Sequence, residues 1–153
     1  MAEIKRILLA DDSPKDVELT LAALEEHNLA NEVIVVRDGA ETLDYLYRRG
    51  KFKMRASNNP AVVLLDIKMP KVDGIEVLRQ IKSDGHLKTI PVVILTSSRE
   101  EKDLVQSYEL GVNAYVVKPV NFQNFVKAVK ELGAFWAIVN EPPVGSTKKQ
   151  DVL

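Results

Sequence analysis

Five polar residues stand out by type and by place: Asp11 and Asp12 side by side, Asp66, Thr96 and Lys118. Asp11, Asp66, Thr96 and Lys118 each directly follow a short apolar run, respectively ILLA, AVVLL, VVIL and AYVV. Asp66 lies 55 residues beyond Asp11, Thr96 a further 30, and Lys118 22 more. Only a folded chain brings such residues together. Taken singly, each has an ordinary reading as a turn acid, a helix-start hydroxyl or a solvated cation. Four coincidences at four apolar-run ends favour one shared site. Three carboxylates in one crevice repel each other and need a counter-charge. A divalent cation supplies it, and a donor set without Cys or His suits magnesium rather than zinc. Magnesium takes one or two carboxylates and leaves room for a phosphate oxygen. One oxygen of Asp66 then stays free to attack phosphorus and form an acyl phosphate. Lys118 can neutralise a phosphoryl oxygen as a compact charge, and the Thr96 hydroxyl can donate to another.

The elements that must position these residues follow from the apolar pattern. The run AVVLL suits a strand buried on both faces of a parallel sheet. An acid after it belongs at the carboxyl end, where α/β proteins keep their ligand crevice. Further strands are predicted over 4–10, 31–36, 90–95 and 114–117. Helices lie between them. Ser13 caps the first, Pro14 occupies its first position, Asp16 favours the positive end of its dipole, and Val17, Leu21 and Leu24 face inward. Asp38 and Glu41 form a capping box before an inward face of Leu43, Leu46 and Tyr47. Asp73-Gly74 opens a third helix with Ile75, Leu78 and Ile81 inside. Ser98 and Glu101 form a second capping box, with Leu104 and Tyr108 inside and Gly111 at the helix close. Asn121 caps the last helix, whose stripe is Phe122, Phe125, Val126, Val129, Leu132 and Trp136. A βα unit repeated in this way implies parallel strands with helices on both faces, all strand ends opening to one edge.

The segment 48–60 carries five basic residues, Arg48, Arg49, Lys51, Lys53 and Arg55. It reads first as a solvated connection, with a docking surface for an acidic partner as the alternative. A length of 153 residues suits one domain. A net charge of −1 argues against a general nucleic-acid or membrane-surface binder. Cysteine is absent, which excludes disulfides, and two histidines, His27 and His86, make a His-based zinc site a poor reading. The opening MAEIKRILLADD lacks the pattern of a signal peptide. No apolar segment reaches the roughly 18–20 residues that span a bilayer. A cytoplasmic protein is expected, with a folded unit over 1–139. A disordered tail over 140–153, without an output domain, follows from its Pro, Gly, Ser and Lys content.

The segments LLADDS, LLDIKMPKVDG, VVILTSS and AYVVKPV resemble the receiver domain of bacterial response regulators, the family of the chemotaxis response regulator. The resemblance covers about residues 4–138. It implies a flavodoxin-like (βα)5 fold with strand order 2-1-3-4-5. It makes Asp66 the phosphoryl acceptor, with Asp11, Asp12, Asp66 and the Lys68 backbone carbonyl around Mg2+, for which Mn2+ could substitute. Lys118 and Thr96 would contact the phosphoryl group. Thr96 would move toward it and let Tyr115 turn inward, and Pro119 would follow a cis peptide bond. Lys68 would reach over the phosphate, and Lys68 and Ser98 would tune hydrolysis. Ser97, where many relatives have Ala or Gly, would narrow entry to the pocket. The long 48–60 loop and the ending LGAFWAIVNEPP resemble small stand-alone regulators related to those paired with cyanobacterial phytochrome kinases. Phe135 and Trp136 belong to that similarity, as core closure or as a dimer or kinase contact. The implied partners are a histidine kinase, in a phytochrome-like pairing, or a histidine phosphotransfer protein, and a downstream protein target. A homodimer is a further option.

Two other classes fit the residues less well. A phosphohydrolase of the haloacid dehalogenase type wants a second Asp two residues after its nucleophile, where this chain has Lys68. A flavodoxin-like cofactor binder wants a Ser/Thr/Gly-rich loop after the first strand, and Asp11-Asp12 would repel a cofactor phosphate.

Overall fold

The computed structural model describes residues 6–26, 32–55, 58–112 and 114–133. Over these residues the chain alternates strand and helix: β1 (Arg6–Ala10), α1 (Pro14–Glu26), β2 (Glu32–Val36), α2 (Gly39–Tyr47), β3 (Val62–Asp66), α3 (Gly74–Ser83), β4 (Val92–Thr96), α4 (Arg99–Ser107), β5 (Tyr115–Val117) and α5 (Phe122–Glu131). A single 3-10 turn, Gly50–Phe52, sits between α2 and β3. The five strands are parallel and ordered β2-β1-β3-β4-β5. This is the flavodoxin-like arrangement, with β1 and β3 at its centre.

Side chains of a strand alternate between faces, and the core divides accordingly. Ile7, Leu9, Val62, Leu64, Val93 and Leu95 pack with Val17 and Leu24 of α1 and Phe125 and Val129 of α5. Leu8, Val63, Leu65, Val92 and Ile94 pack with Leu43 and Leu46 of α2, Val77, Leu78 and Ile81 of α3, and Val105 of α4. Each such buried side chain is worth about 1.5–3 kcal/mol. Slipping a strand by one residue would exchange its two sets of partners, so register is held from both sides. Along β3 every residue is buried, which confines its one polar residue, Asp66, to the carboxyl end.

Caps start the helices where the sequence predicts. Asp38, Asp73, Ser98 and Asn121 each accept a hydrogen bond from the backbone N–H three residues on. The Ser13 hydroxyl accepts from Asp16 N at 3.3 Å.

One expectation needs correction and two need an addition. On α4, Leu104 and Tyr108 are 47% and 46% exposed, and Glu101 and Val105 face inward instead. Apolar spacing alone cannot find this face, because Glu101 meets enough donors to be buried as an acid. On α2, Tyr47 packs half-buried against the core as expected, and Tyr45, which the pattern does not single out, is fully buried. Tyr45 stacks edge-on against Phe52 at 5.1 Å and lies under the Arg55 guanidinium at 4.3 Å. The described residues of the 48–60 segment are mostly exposed, as a solvated connection predicts, but Arg55 also ties the segment to α2. Arg55 donates to Tyr45 O at 2.7 Å, Leu46 O at 3.3 Å and Asn58 O at 3.1 Å, closing the C-terminal end of α2. Arg49 pairs with Asp44 and Lys51 with Glu41, so three of the five cations have partners within the chain. His27, Phe135, Trp136 and the expected tail over 140–153 lie outside the described residues.

Candidate functional site

At the carboxyl edge of the sheet, β1 and β3 lie side by side, with Ala10 opposite Leu65. The residues that follow them, Asp11 and Asp66, therefore emerge together. Both are buried, while Asp12 is exposed. One carboxylate oxygen from each of Asp11, Asp12 and Asp66 lies within 4.8 Å of the others. The next strand over, β4, pairs Leu95 with Asp66, which sets Thr96 one residue beyond at the adjoining strand end. Lys118 follows β5, and its backbone N–H donates to Thr96 O at 2.8 Å. The Lys118–Pro119 peptide bond is cis.

Lys118 is the cation at this edge. Its Nζ lies 3.2 Å from Asp66 Oδ2, 3.0 Å from Asp16 Oδ2 and 3.7 Å from Asp11 Oδ2. Burial alone would lower the Lys118 pKa, but the hydrogen bond with Asp16 and the charges of Asp66 and Asp11 hold it above the ordinary lysine value. Asp66 goes the other way. Burial pushes it up to about 6; Lys118 opposes this, Asp11 adds to it, and hydrogen bonds from Lys118 and the Lys68 backbone lower it. A single ammonium is not enough for the carboxylates around it.

The donor set fits a hard divalent cation on its own chemistry. Asp11 Oδ2 is buried and lacks a hydrogen-bond partner among the described residues. A buried carboxylate oxygen left so is costly, and a cation on the open side would satisfy it. Asp11 Oδ1 is used, accepting from Ser13 N at 3.0 Å. All the ligands on offer are oxygens, as Mg2+ and Mn2+ prefer.

The remaining predicted residues lie around this centre. The Lys68 N–H donates to Asp66 Oδ1 at 3.3 Å. Its side chain does not reach over Asp66 but pairs with Glu101 Oε2 at 3.2 Å. The Ser98 hydroxyl accepts from Glu101 N at 3.2 Å at the start of α4. The Ser97 hydroxyl donates to Glu101 Oε2 at 2.9 Å. Tyr115 is half-buried, and its hydroxyl donates to Val112 O at 3.1 Å. Two acids belong to the site without a local sequence signal for it. Asp16 carries only a helix-dipole signal, yet its carboxylate lies 3.0 Å from Lys118 Nζ. Glu101 carries only a capping-box signal, yet it pairs with Lys68.

Gly74 allows α3 to approach this edge. A Cβ there would meet Asp66 O at 2.3 Å and Ile67 Cα at 2.7 Å. The glycine N–H donates to Ile67 O at 2.9 Å.

Known proteins share this architecture. The sequence profile of the response regulator receiver domain matches residues 7–130. The response regulator Rcp1 of Synechocystis sp. is 41% identical over 132 residues, which is 86% of this chain and 88% of Rcp1. The structure of the bacteriophytochrome response regulator AtBRR superposes with a TM-score of 0.87 at 62% identity, covering 92% of this chain and 100% of that one. The Mn2+-bound form of Rcp1 superposes with a TM-score of 0.69 at 39% identity, covering 92% of this chain and 99% of that one. With the sheet order, the acidic edge and the profile in agreement, the chain belongs to the response regulator receiver domain family of two-component systems.

Proposed function

We propose that Asp66 accepts a phosphoryl group from a histidine kinase and that Lys118, Thr96 and a divalent cation held by Asp11, Asp12, Asp66 and the Lys68 carbonyl assist the transfer. Receiver domains as a family take part in such exchange, with kinases on one side and targets on the other. One observation carries the assignment to these residues. Asp66 lies at the carboxyl end of the central strand, 3.2 Å from the Lys118 ammonium and beside an Asp11 oxygen that accepts no hydrogen bond.

One carboxylate oxygen of Asp66 attacks phosphorus of the phosphohistidine. A P–O bond forms, the P–N bond breaks, and the imidazole leaves with a proton from solvent. Lys118 exchanges one of its carboxylate contacts for a phosphoryl oxygen, and the Thr96 hydroxyl donates to another. A bound Mg2+ would neutralise the charge gathering on the phosphoryl oxygens. The product is an acyl phosphate, and the chain acts as a phosphoacceptor that supports its own slow hydrolysis. A dedicated phosphohydrolase would need a general acid two residues past Asp66, and Lys68 is there, held by Glu101.

Output goes through shape. Thr96 draws toward the phosphoryl group and Tyr115 gives up its bond to Val112 O to turn inward, shifting a two-state population. The resemblance of the chain to AtBRR supports a kinase of the phytochrome type as donor. A histidine phosphotransfer protein is the other donor or recipient, and the phosphorylated form acts on a protein target, as monomer or homodimer, in the cytoplasm. No described helix is long and apolar enough to cross a membrane. The test is incubation with a small phosphodonor and Mg2+. One acid-stable, base-labile phosphoryl group per chain is expected, and none in Asp66→Asn. Turnover of many equivalents, or labelling that survives the substitution, would overturn the assignment.

A further inference from the structure

Lys68 is an anomaly at this site. It stands two residues past Asp66, and its backbone N–H touches Asp66 Oδ1, yet its ammonium is turned to Glu101 Oε2 at 3.2 Å. The two members of that pair are held very differently. The Lys68 side chain is 78% exposed and the Glu101 side chain 7%. Glu101 Oε1 accepts from Ser97 N at 2.8 Å, and Oε2 accepts from the Ser97 hydroxyl at 2.9 Å. The Glu101 backbone N–H is in turn tied to the Ser98 hydroxyl. Glu101 is thus an anion built into the β4–α4 connection, and Lys68 is a solvent-exposed cation on a long stem. The location of the Lys68 charge is set by Glu101.

We propose that Glu101 is a positioning residue for the phosphoryl site: it holds the Lys68 ammonium at the rim, away from the Asp66 oxygen that receives the group. A phosphoryl group on Asp66 carries about −1.5 to −2 charges. It would arrive beside the Lys68 backbone and compete with Glu101 for the same ammonium. While Glu101 wins, the phosphorylated carboxylate has Lys118 but lacks a second lysine. Without the Glu101 charge, Lys68 is free to swing onto the phosphoryl oxygens and stabilise that state. The Ser97 hydroxyl serves the same end by aiming the carboxylate. The inference rests on the reading of Asp66 as phosphoacceptor.

The test uses the full chain with Mg2+ and beryllofluoride, a tetrahedral anion that mimics a carboxylate-bound phosphoryl group, with affinity followed by amide NMR. Glu101→Gln keeps an acceptor for Ser97 N and removes the charge. It should tighten beryllofluoride binding about two- to fivefold, the scale of a half-exposed ion pair. In a Lys68→Met background the same substitution should change nothing, because Glu101 acts through Lys68. The amide spectra also report whether each variant is folded. Equal effects in both backgrounds, or none in either, would overturn the proposal. Failure of the unsubstituted chain to bind beryllofluoride at all would remove the phosphoacceptor reading itself, a different and recognisable result.

Discussion

Lys118 Nζ and Asp66 Oδ2 meet at 3.2 Å across 52 residues of sequence. The same ammonium also serves Asp16 and Asp11, so the carboxylates outnumber the nearby cation. That imbalance makes the edge receptive to a divalent metal and governs how the protein responds to pH and to substitution.

Asp66 should cost the metal-free protein stability near neutral pH. Its pKa is raised from 3.8 to about 6, chiefly by burial. Between those values the folded chain holds a proton that the unfolded chain has released, so stability falls as pH rises through the interval. Asp66→Asn should therefore stabilise the chain near neutral pH in chelator by on the order of 1–3 kcal/mol. The gain should vanish below the ordinary carboxylate value. Urea unfolding of both forms across pH measures it, and a less stable variant near neutral pH would contradict it.

Lys118→Met should do the opposite. It strands Asp11 and Asp66 in a buried place without their cation, at a cost of about 2–4 kcal/mol near neutral pH. Because the folded-state pKa of Lys118 is raised, its contribution persists on the alkaline side up to the ordinary lysine value. From there it is lost as pH rises through the raised value. The deficit of the variant should shrink in acid, where the carboxylates take up protons, as chemical denaturation at two pH values would show.

Magnesium should stabilise the chain through Asp11. Binding to the folded state alone adds about 1.4 kcal/mol at ten times Kd. The melting temperature should rise with Mg2+ for the unsubstituted chain and stay flat for Asp11→Asn. Without metal, that variant should be no less stable, since the oxygen it replaces accepts no hydrogen bond and Lys118 keeps its closer partners Asp16 and Asp66.

Gly74→Ala should damage both fold and site. The added methyl would fall 2.3 Å from Asp66 O and 2.7 Å from Ile67 Cα, both backbone atoms. A cost of about 2–3 kcal/mol is expected, together with weakened phosphodonor labelling. Gly85→Ala is the control, because nothing lies within 4 Å of its Cβ.

Arg55→Ala should cost about 1–3 kcal/mol, since it strips donors from the Tyr45 and Leu46 carbonyls at the end of α2. The exposed Lys53→Ala should stay within about 0.5 kcal/mol. Thermal melts of the pair separate an internal role for this loop from a solvated one.

The residues of the candidate site were largely legible from their places after apolar runs. A buried parallel strand has no room for an acid except at its end, so Asp66 had one place to be. The helix starts were legible too, because caps such as Asp38, Asp73 and Asn121 act within three residues of themselves. The inward face of α4 was not. Periodicity weighs hydrophobicity, and it favoured Leu104 and Tyr108 over Glu101. What makes Glu101 buriable is Ser97 beside it and Lys68 from another loop, and the latter has no local signature. Arg55 was hidden likewise, since its acceptors are backbone carbonyls that every residue possesses.

The chain's own pattern thus determined a parallel βα sheet and the polar residues gathered at one edge, because strand burial and capping are short-range consequences of residue type. Only the tertiary structure decided which acid each cation serves: Lys118 with Asp16 as well as Asp66, and Lys68 with Glu101. Charges attract without regard to sequence distance, and their pairing follows from where the backbone has already been placed.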